Sequence, residues 1–122
     1  MLIVDEDARV RTGLAALLTD TDGLMVAGAC GDMSQAVRLA ARLVPDVVLL
    51  DLLLPEHEVG LTLLRHLCGR GLAVVVLSAR GGLRVQALHA GAAAFLEKGC
   101  QPDAIVAALR SSAIMSRPPS RL

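Results

Sequence analysis

Residues 45–55 read PDVVLLDLLLP. The run Val47-Val48-Leu49-Leu50 has no polar face. A half-buried strand would alternate apolar and polar side chains. A fully apolar run needs cover on both faces, as in the middle of a parallel sheet with helices above and below. The run ends on a carboxylate, Asp51, and three leucines follow before Pro55.

The same pattern repeats on either side. Leu2-Ile3-Val4 is a short buried strand ending at Asp5. Ala8 to Thr19 carries Val10, Leu14, Leu17 and Leu18 at helical spacing. Asp22-Gly23 marks a turn, and Leu24 to Cys30 reads as a second strand. Asp32 or Ser34 can cap the next helix, which is expected to bury Val37, Ala40 and Val44 and to stop before Pro45. Asp46 to Leu50 is the third strand. Gly60 to Cys68 follows as a helix with Leu61, Leu64 and Leu67 on one face. Leu72 to Leu77 is a fourth strand ending at Ser78. Leu83 to Ala90 is a short helix, Gly91 turns the chain, and Ala93 to Leu96 is a fifth strand. Pro102 suits the first turn of a last helix, Asp103 to Ser112.

Five βα units predict a doubly wound, flavodoxin-like α/β fold. Its five-stranded parallel sheet is expected in the order 2-1-3-4-5 with right-handed crossovers. Residues 1–112 form one domain. Residues 113–122, with Pro118-Pro119 and no clear period, are expected to be a linker or disordered tail.

Composition narrows the function. The chain has 122 residues, 54% of them hydrophobic, and 12 Lys+Arg balance 12 Asp+Glu. That length and apolar content suit one domain with its own core and exclude intrinsic disorder. No apolar run approaches a membrane span. The balanced charge argues against direct nucleic-acid binding. Acids follow the first apolar residues at once, so the N-terminus is not a signal peptide and a cytoplasmic location is expected. Cys30, Cys68 and Cys100 form no CxxC pair and read as small buried thiols. His57, His66 and His89 have no partner at metal spacing. The glycines at 28, 31, 81 and 82 complete neither a dinucleotide-binding loop nor a P-loop.

Ligands of such sheets bind beyond the carboxyl ends of the strands. Strand one delivers Asp5 and Glu6 there, strand three Asp51, strand four Ser78, and strand five leads to Lys98, the only lysine in the chain. Two carboxylates ~5 Å apart repel by about 3 kcal/mol at an effective dielectric near 20. One ammonium does not offset three acids, so a divalent cation is the natural guest. An all-oxygen set suits Mg²⁺ or Mn²⁺, which also binds phosphoryl oxygens. An aspartate can itself attack phosphorus. Asp51, at the end of the central strand, is the best placed. Each residue alone also has an ordinary reading: a solvated acidic turn at 5–7, a helix cap at Asp51, a surface lysine at 98, and a core ring at Phe95, the only aromatic residue.

With those residues in place, the chain resembles a receiver domain of a two-component response regulator. The segments that carry the likeness are LIVDEDARVRTGLAALL (2–18), PDVVLLDLLLP (45–55), VVVLSA (74–79) and AGAAAFLEKG (90–99). RTGLAALL and EKGCQPDAIVAALR are most similar to the NarL/FixJ subfamily, which usually joins a receiver to a helix-turn-helix DNA-binding domain. The resemblance implies that Asp51 accepts a phosphoryl group from a sensor histidine kinase. It implies that Glu6, Asp5, Asp51 and the Leu53 carbonyl hold Mg²⁺ (or Mn²⁺), and that Ser78 and Lys98 contact the phosphoryl group. Ser78 and Phe95 would form the switch: the hydroxyl moves toward the phosphoryl group and the ring rotates inward. DNA would be reached only through a C-terminal domain absent from this sequence. The chain would not be an enzyme beyond slow self-phosphorylation from small donors and self-dephosphorylation.

Three positions depart from the family pattern. Gly99 follows Lys98 where many receivers have proline. Val59 stands where an acid is common. Leu53 cannot orient a water, so slow loss of phosphate is expected unless Arg80 compensates. A stand-alone receiver working by protein contact is an alternative. A metal-dependent phosphohydrolase with an Asp nucleophile is another, but it needs a second acid where Leu53 stands. A homodimer is compatible with the sequence. Arg84, Glu97, Asp103 and Arg110 could form ion pairs across a fourth-helix/fifth-helix face, or helices one and five could associate.

Overall fold

The computed structural model describes residues 1–21 and 23–116. Strands β1 (Leu2–Val4), β2 (Gly28–Cys30), β3 (Val47–Leu50), β4 (Ala73–Ser78) and β5 (Ala94–Glu97) form one parallel sheet in the order β2-β1-β3-β4-β5. Helices α1 (Ala8–Thr19), α2 (Met33–Leu43), α3 (His57–Gly69), α4 (Arg84–His89) and α5 (Pro102–Ser116) connect and flank it, with a 3-10 turn at Gly81–Leu83. The expected doubly wound fold and strand order are those observed.

Alternation along β3 explains the layers. Val48 and Leu50 point to one face, where they join Leu2, Val4, Val74 and Val76 with Ala36 and Ala40 of α2 and Leu63, Leu64 and Leu67 of α3. Val47 and Leu49 point to the other, with Ile3, Val75 and Leu77 and with Leu18 of α1 and Ile105 and Leu109 of α5. Successive strand residues face opposite ways, so a run buried on both faces must be apolar throughout.

Several boundaries differ from the sequence reading. β2 begins at Gly28, not Leu24, because its partner β1 is itself three residues long. Before Gly28 the chain makes only scattered bonds, such as Ala27 N–H to Met1 O at 2.8 Å. Asp32 is the cap of α2, its side chain accepting from Gln35 N–H, and Ser34 lies inside the helix. Val44 is 70% exposed rather than buried. It ends α2 in the left-handed region at φ +44°, and that turn swings its side chain away from the core. α3 starts at His57, three residues before the predicted Gly60. α5 starts at Pro102 and continues to Ser116, four residues past Ser112. Of the expected turn, Asp22 lies outside the described residues. So does the part of the expected linker over 117–122.

The chain between β3 and α3 is folded inward. Leu52 and Leu54 are buried, and Leu53 is half-exposed. Gly60, in the first turn of α3, lies against Leu52, and a β-carbon there would fall inside the Leu52 carbonyl group. Absence of a side chain at 60 therefore lets α3 close on the loop that follows Asp51. Cys30 is buried at the end of β2, with Cys68 and Cys100 half-buried. Burial, reinforced by the Asp32 charge, pushes the Cys30 thiol up to about 11, so it stays protonated.

Gly60→Ala is expected to lower the free energy of unfolding by about 3 kcal/mol or more, because neither backbone can yield. Denaturant titration reads this directly, and a loss below about 1 kcal/mol would mean that α3 does not depend on this approach.

Candidate functional site

Register places two carboxylates side by side. Val4 is paired with Leu50, so Asp5 and Asp51 are the next residues on neighbouring strands. The ladder continues one step beyond the strands: Asp51 N–H donates to Val4 O at 2.9 Å, and Asp5 N–H to Cys30 O at 3.1 Å. Both acids are buried, at 3% and 6% exposure. Lys98, just past β5, sets its ammonium between them. Nζ lies 3.1 Å from Asp5 Oδ2 and 2.9 Å from Asp51 Oδ2.

The other carboxylate oxygens are held by backbone. Asp7 N–H donates to Asp5 Oδ1 at 2.9 Å, and Leu53 N–H to Asp51 Oδ1 at 3.1 Å. Asp7 caps α1 by accepting from Arg9 N–H at 2.8 Å. These local turns orient both acids without using side chains from elsewhere.

Charge in the cleft is unbalanced. Two carboxyl groups, Asp5 and Asp51, share one ammonium, and around them the exposed Glu6 and Asp7 outnumber the one further cation, Arg9. Burial works to lower the pKa of Lys98, but its hydrogen bonds to Asp51 and Asp5 and their charges outweigh that and raise it.

The cleft is open, about 420 Å³, and lined by Asp5, Glu6, Asp7, Arg9, Val10, Asp51, Leu53 and Lys98. A roomier hollow of about 610 Å³ between α3 and α4 carries His57, Glu58 and His89, but the two buried acids are Asp5 and Asp51. Among the described residues no three His, Cys, Asp or Glu side chains gather closely enough to form a metal cage. Two fixed carboxylates with a third at the rim, all offering oxygen, fit a small hard cation that keeps most of its waters.

Of the residues picked out in the sequence, Asp5, Glu6, Asp51, Leu53 and Lys98 thus share one cleft. Ser78 is fully buried at the end of β4 beside it. Its Oγ accepts from Arg80 N–H at 3.1 Å, and its carbonyl accepts from Lys98 N–H at 2.9 Å. Phe95 stands apart. Its ring is 4% exposed and belongs to the core on the α2–α3 side of the sheet, with Val76, Leu83 and Ala87. The ring thus lies in the core in this structure. Arg84, one of the residues that could form ion pairs across a dimer face, donates within the chain from Nη1 to Phe95 O at 3.2 Å, with its guanidinium 6.0 Å from the ring centroid.

Two residues that hold the acidic loop were given no site role in the sequence reading. Asp7 is a cap and a backbone donor to Asp5. Arg11 donates to the carbonyls of Asp5 and Glu6. Asp7 was legible in principle, as an acid just before a helical run. Arg11 was not, because nothing local distinguishes it from a solvated helix cation.

Comparisons with known proteins bear on the fold and the family. The sequence profile described as the response regulator receiver domain matches residues 1–110. Response regulator GacA of Pseudomonas aeruginosa is 34% identical over 113 residues, covering 90% of this chain and 53% of that protein. Protein-glutamate methylesterase/protein-glutamine glutaminase 6 of Anaeromyxobacter dehalogenans is 48% identical over 81 residues, 66% of this chain and 23% of that protein. The chain thus spans about half or less of these relatives. Among solved structures, a two-component response regulator of the LuxR family from Aurantimonas sp. SI85-9A1 superposes with a TM-score of 0.86 at 25% identity, covering 93% of this chain and 84% of that one.

The Lys98 ion pairs have a pH signature. Because the folded state raises the lysine pKa, their contribution is complete below the unfolded-state value of about 10.4 and is lost as pH rises through the higher folded value. Lys98→Met leaves Asp5 and Asp51 facing each other and is expected to cost about 2 kcal/mol at pH 7 to 9. The gap from the wild type should close at more alkaline pH. Unfolding free energies measured across pH 8 to 11.5 on both proteins check this. A gap that stays constant would rule the lysine charge out as its cause.

Proposed function

The chain belongs to the response regulator receiver domains, of the NarL/FixJ-like type, and we propose from this that Asp51 is the acceptor of a phosphoryl group from the phosphohistidine of a sensor kinase. The observation that carries the reading is the Lys98 ammonium shared by two buried carboxylates at adjacent strand ends. A buried aspartate held by Leu53 N–H and Lys98 has its direction of attack set before a donor arrives.

In the transfer, an Asp51 carboxylate oxygen forms a bond to phosphorus as the phosphorus–nitrogen bond of the donor breaks. The electron pair leaves with the imidazole, which takes up a proton. Lys98 is then beside the new phosphoryl oxygens and offsets their charge. Asp5, Glu6, Asp51 and the Leu53 carbonyl would hold Mg²⁺ or Mn²⁺. When bound, that cation neutralises the acids and the phosphoryl oxygens together.

The switch we infer begins at Ser78. Drawn toward the phosphoryl charge, its hydroxyl gives up the Arg80 N–H and moves the start of the Gly81–Leu83 turn. The buried Phe95 then acts as a fixed ring against which α4 shifts, rather than as a rotating one. Partner contact through the remodelled face would control an output, a DNA-binding domain in the reading favoured here, though a stand-alone receiver would use the same face. No helix among the described residues is long and apolar enough to cross a membrane, and the signalling role proposed is a cytoplasmic one, as is typical of response regulators. The phosphohydrolase reading fails on Leu53, which offers no acid to protonate a leaving group.

Incubation with acetyl phosphate and Mg²⁺, followed by intact-mass measurement, should show one labile phosphoryl adduct that Asp51→Ala lacks. An adduct of equal size on the variant would move the acceptor elsewhere. Leu53 places an apolar side chain at the cleft where a polar one could orient an attacking water. The phosphorylated wild type should therefore outlast Leu53→Asn severalfold. Equal half-lives would remove Leu53 as the cause of persistence.

A further inference from the structure

The acidic loop has an anchor on its far side. Arg11 lies in α1, one turn past the cap Asp7, and its backbone N–H donates to Asp7 O at 3.0 Å. Its side chain turns back over the loop. A single nitrogen, Nη1, donates to Asp5 O at 2.6 Å and to Glu6 O at 3.0 Å. Gly31, just past β2, makes room for it, since a β-carbon at 31 would overlap the same Nη1. Cys30, the residue before, fixes Asp5 from that side through its carbonyl.

The two bonded carbonyls belong to the two acids of the loop. Asp5 is further tied by Asp7 N–H and Lys98. Glu6 is exposed, and its carboxylate takes its aim from the backbone that carries it. We propose that Arg11, seated on Gly31, is a positioning residue that holds the Asp5–Glu6 backbone so that the cleft binds a divalent cation. This rests on the phosphoacceptor reading above. Arg11 would act through geometry and not through its charge, and the two effects have opposite signs. Coulomb's law alone says that removing a nearby guanidinium should tighten cation binding. Loss of positioning should weaken it, as the loss of groups that orient metal ligands commonly does by 10- to 100-fold.

The test compares the whole chain as wild type, Arg11→Gln and Gly31→Ala. Gly31→Ala keeps every charge and displaces only the flexible end of Arg11. Two measurements are made against Mg²⁺ concentration: the rise in melting temperature without any phosphodonor, and the rate of phosphorylation by acetyl phosphate. Both variants should need about tenfold more Mg²⁺ for half-saturation in each measurement, while the rate at saturating Mg²⁺ stays close to wild type. Half-saturation within twofold of wild type in both variants, or tighter binding in Arg11→Gln, would overturn the proposal even if both variants melt earlier. If Arg11→Gln does not fold, Gly31→Ala decides alone. A wild type that responds to Mg²⁺ in neither measurement would instead sink the cation site itself, and the proposal with it.

Discussion

One ammonium bonded to two buried carboxylates on neighbouring strands governs this molecule. Register brings Asp5 and Asp51 together whether or not their charges agree. Like charges so close in a poorly solvated place are costly, and the cost must be met by a cation that is always present or by protonation. Lys98 meets it by reaching past the end of β4 from β5. The solution is incomplete, because the four acids lining the cleft, Asp5, Glu6, Asp7 and Asp51, outnumber its two cations, Arg9 and Lys98. On the proposed reading, that excess of carboxylates is what would suit the cleft to a further cation and to chemistry on a phosphoryl group.

The rest of the fold serves to keep this arrangement stiff. The apolar strands are buried on both faces, so the carboxyl ends of β1 and β3 cannot slide without exposing core. Leu52 and Leu54 tie down the chain after Asp51, and the bare Cα of Gly60 lets α3 lock against it. Asp5 and Asp51 each take one backbone N–H two residues ahead, which aims them at the same point. The opposite side of the site is built less rigidly. α4 is a short helix entered through a 3-10 turn with two glycines, and its attachment to β5 includes the single polar bond from Arg84 to Phe95 O. Under the proposed function, a charge change at Asp51 would meet resistance on one side and be passed on through the other.

Much of this was legible in the sequence because it rests on pattern. The βα alternation, the run at 47–50 and the acids at strand ends are local, and burial on two faces accounts for the apolar run, while the acids gained meaning from their joint placement. The strand order followed from the number of units, and with it the meeting of Asp5, Asp51 and Lys98. Misread positions were those where neighbours overrule local pattern. Leu24 to Ala27 has the composition of a strand, yet β1 is too short to pair with it. Val44 has the spacing of a core residue, yet the left-handed turn ahead of Pro45 faces it outward.

The sequence by itself determined the class of fold, the faces of its helices and the residue types gathered at one end of the sheet, since hydrophobic periodicity and strand ends are properties of short segments. Only the tertiary structure decided that Lys98 bonds both acids at once, that Phe95 is already buried, that Arg84 is tied to β5, and that Arg11 rests on Gly31 behind the acidic loop. Each of these joins residues that are distant in the chain or a side chain to a backbone carbonyl. Such contacts depend on the packed distance between elements, which no local pattern encodes.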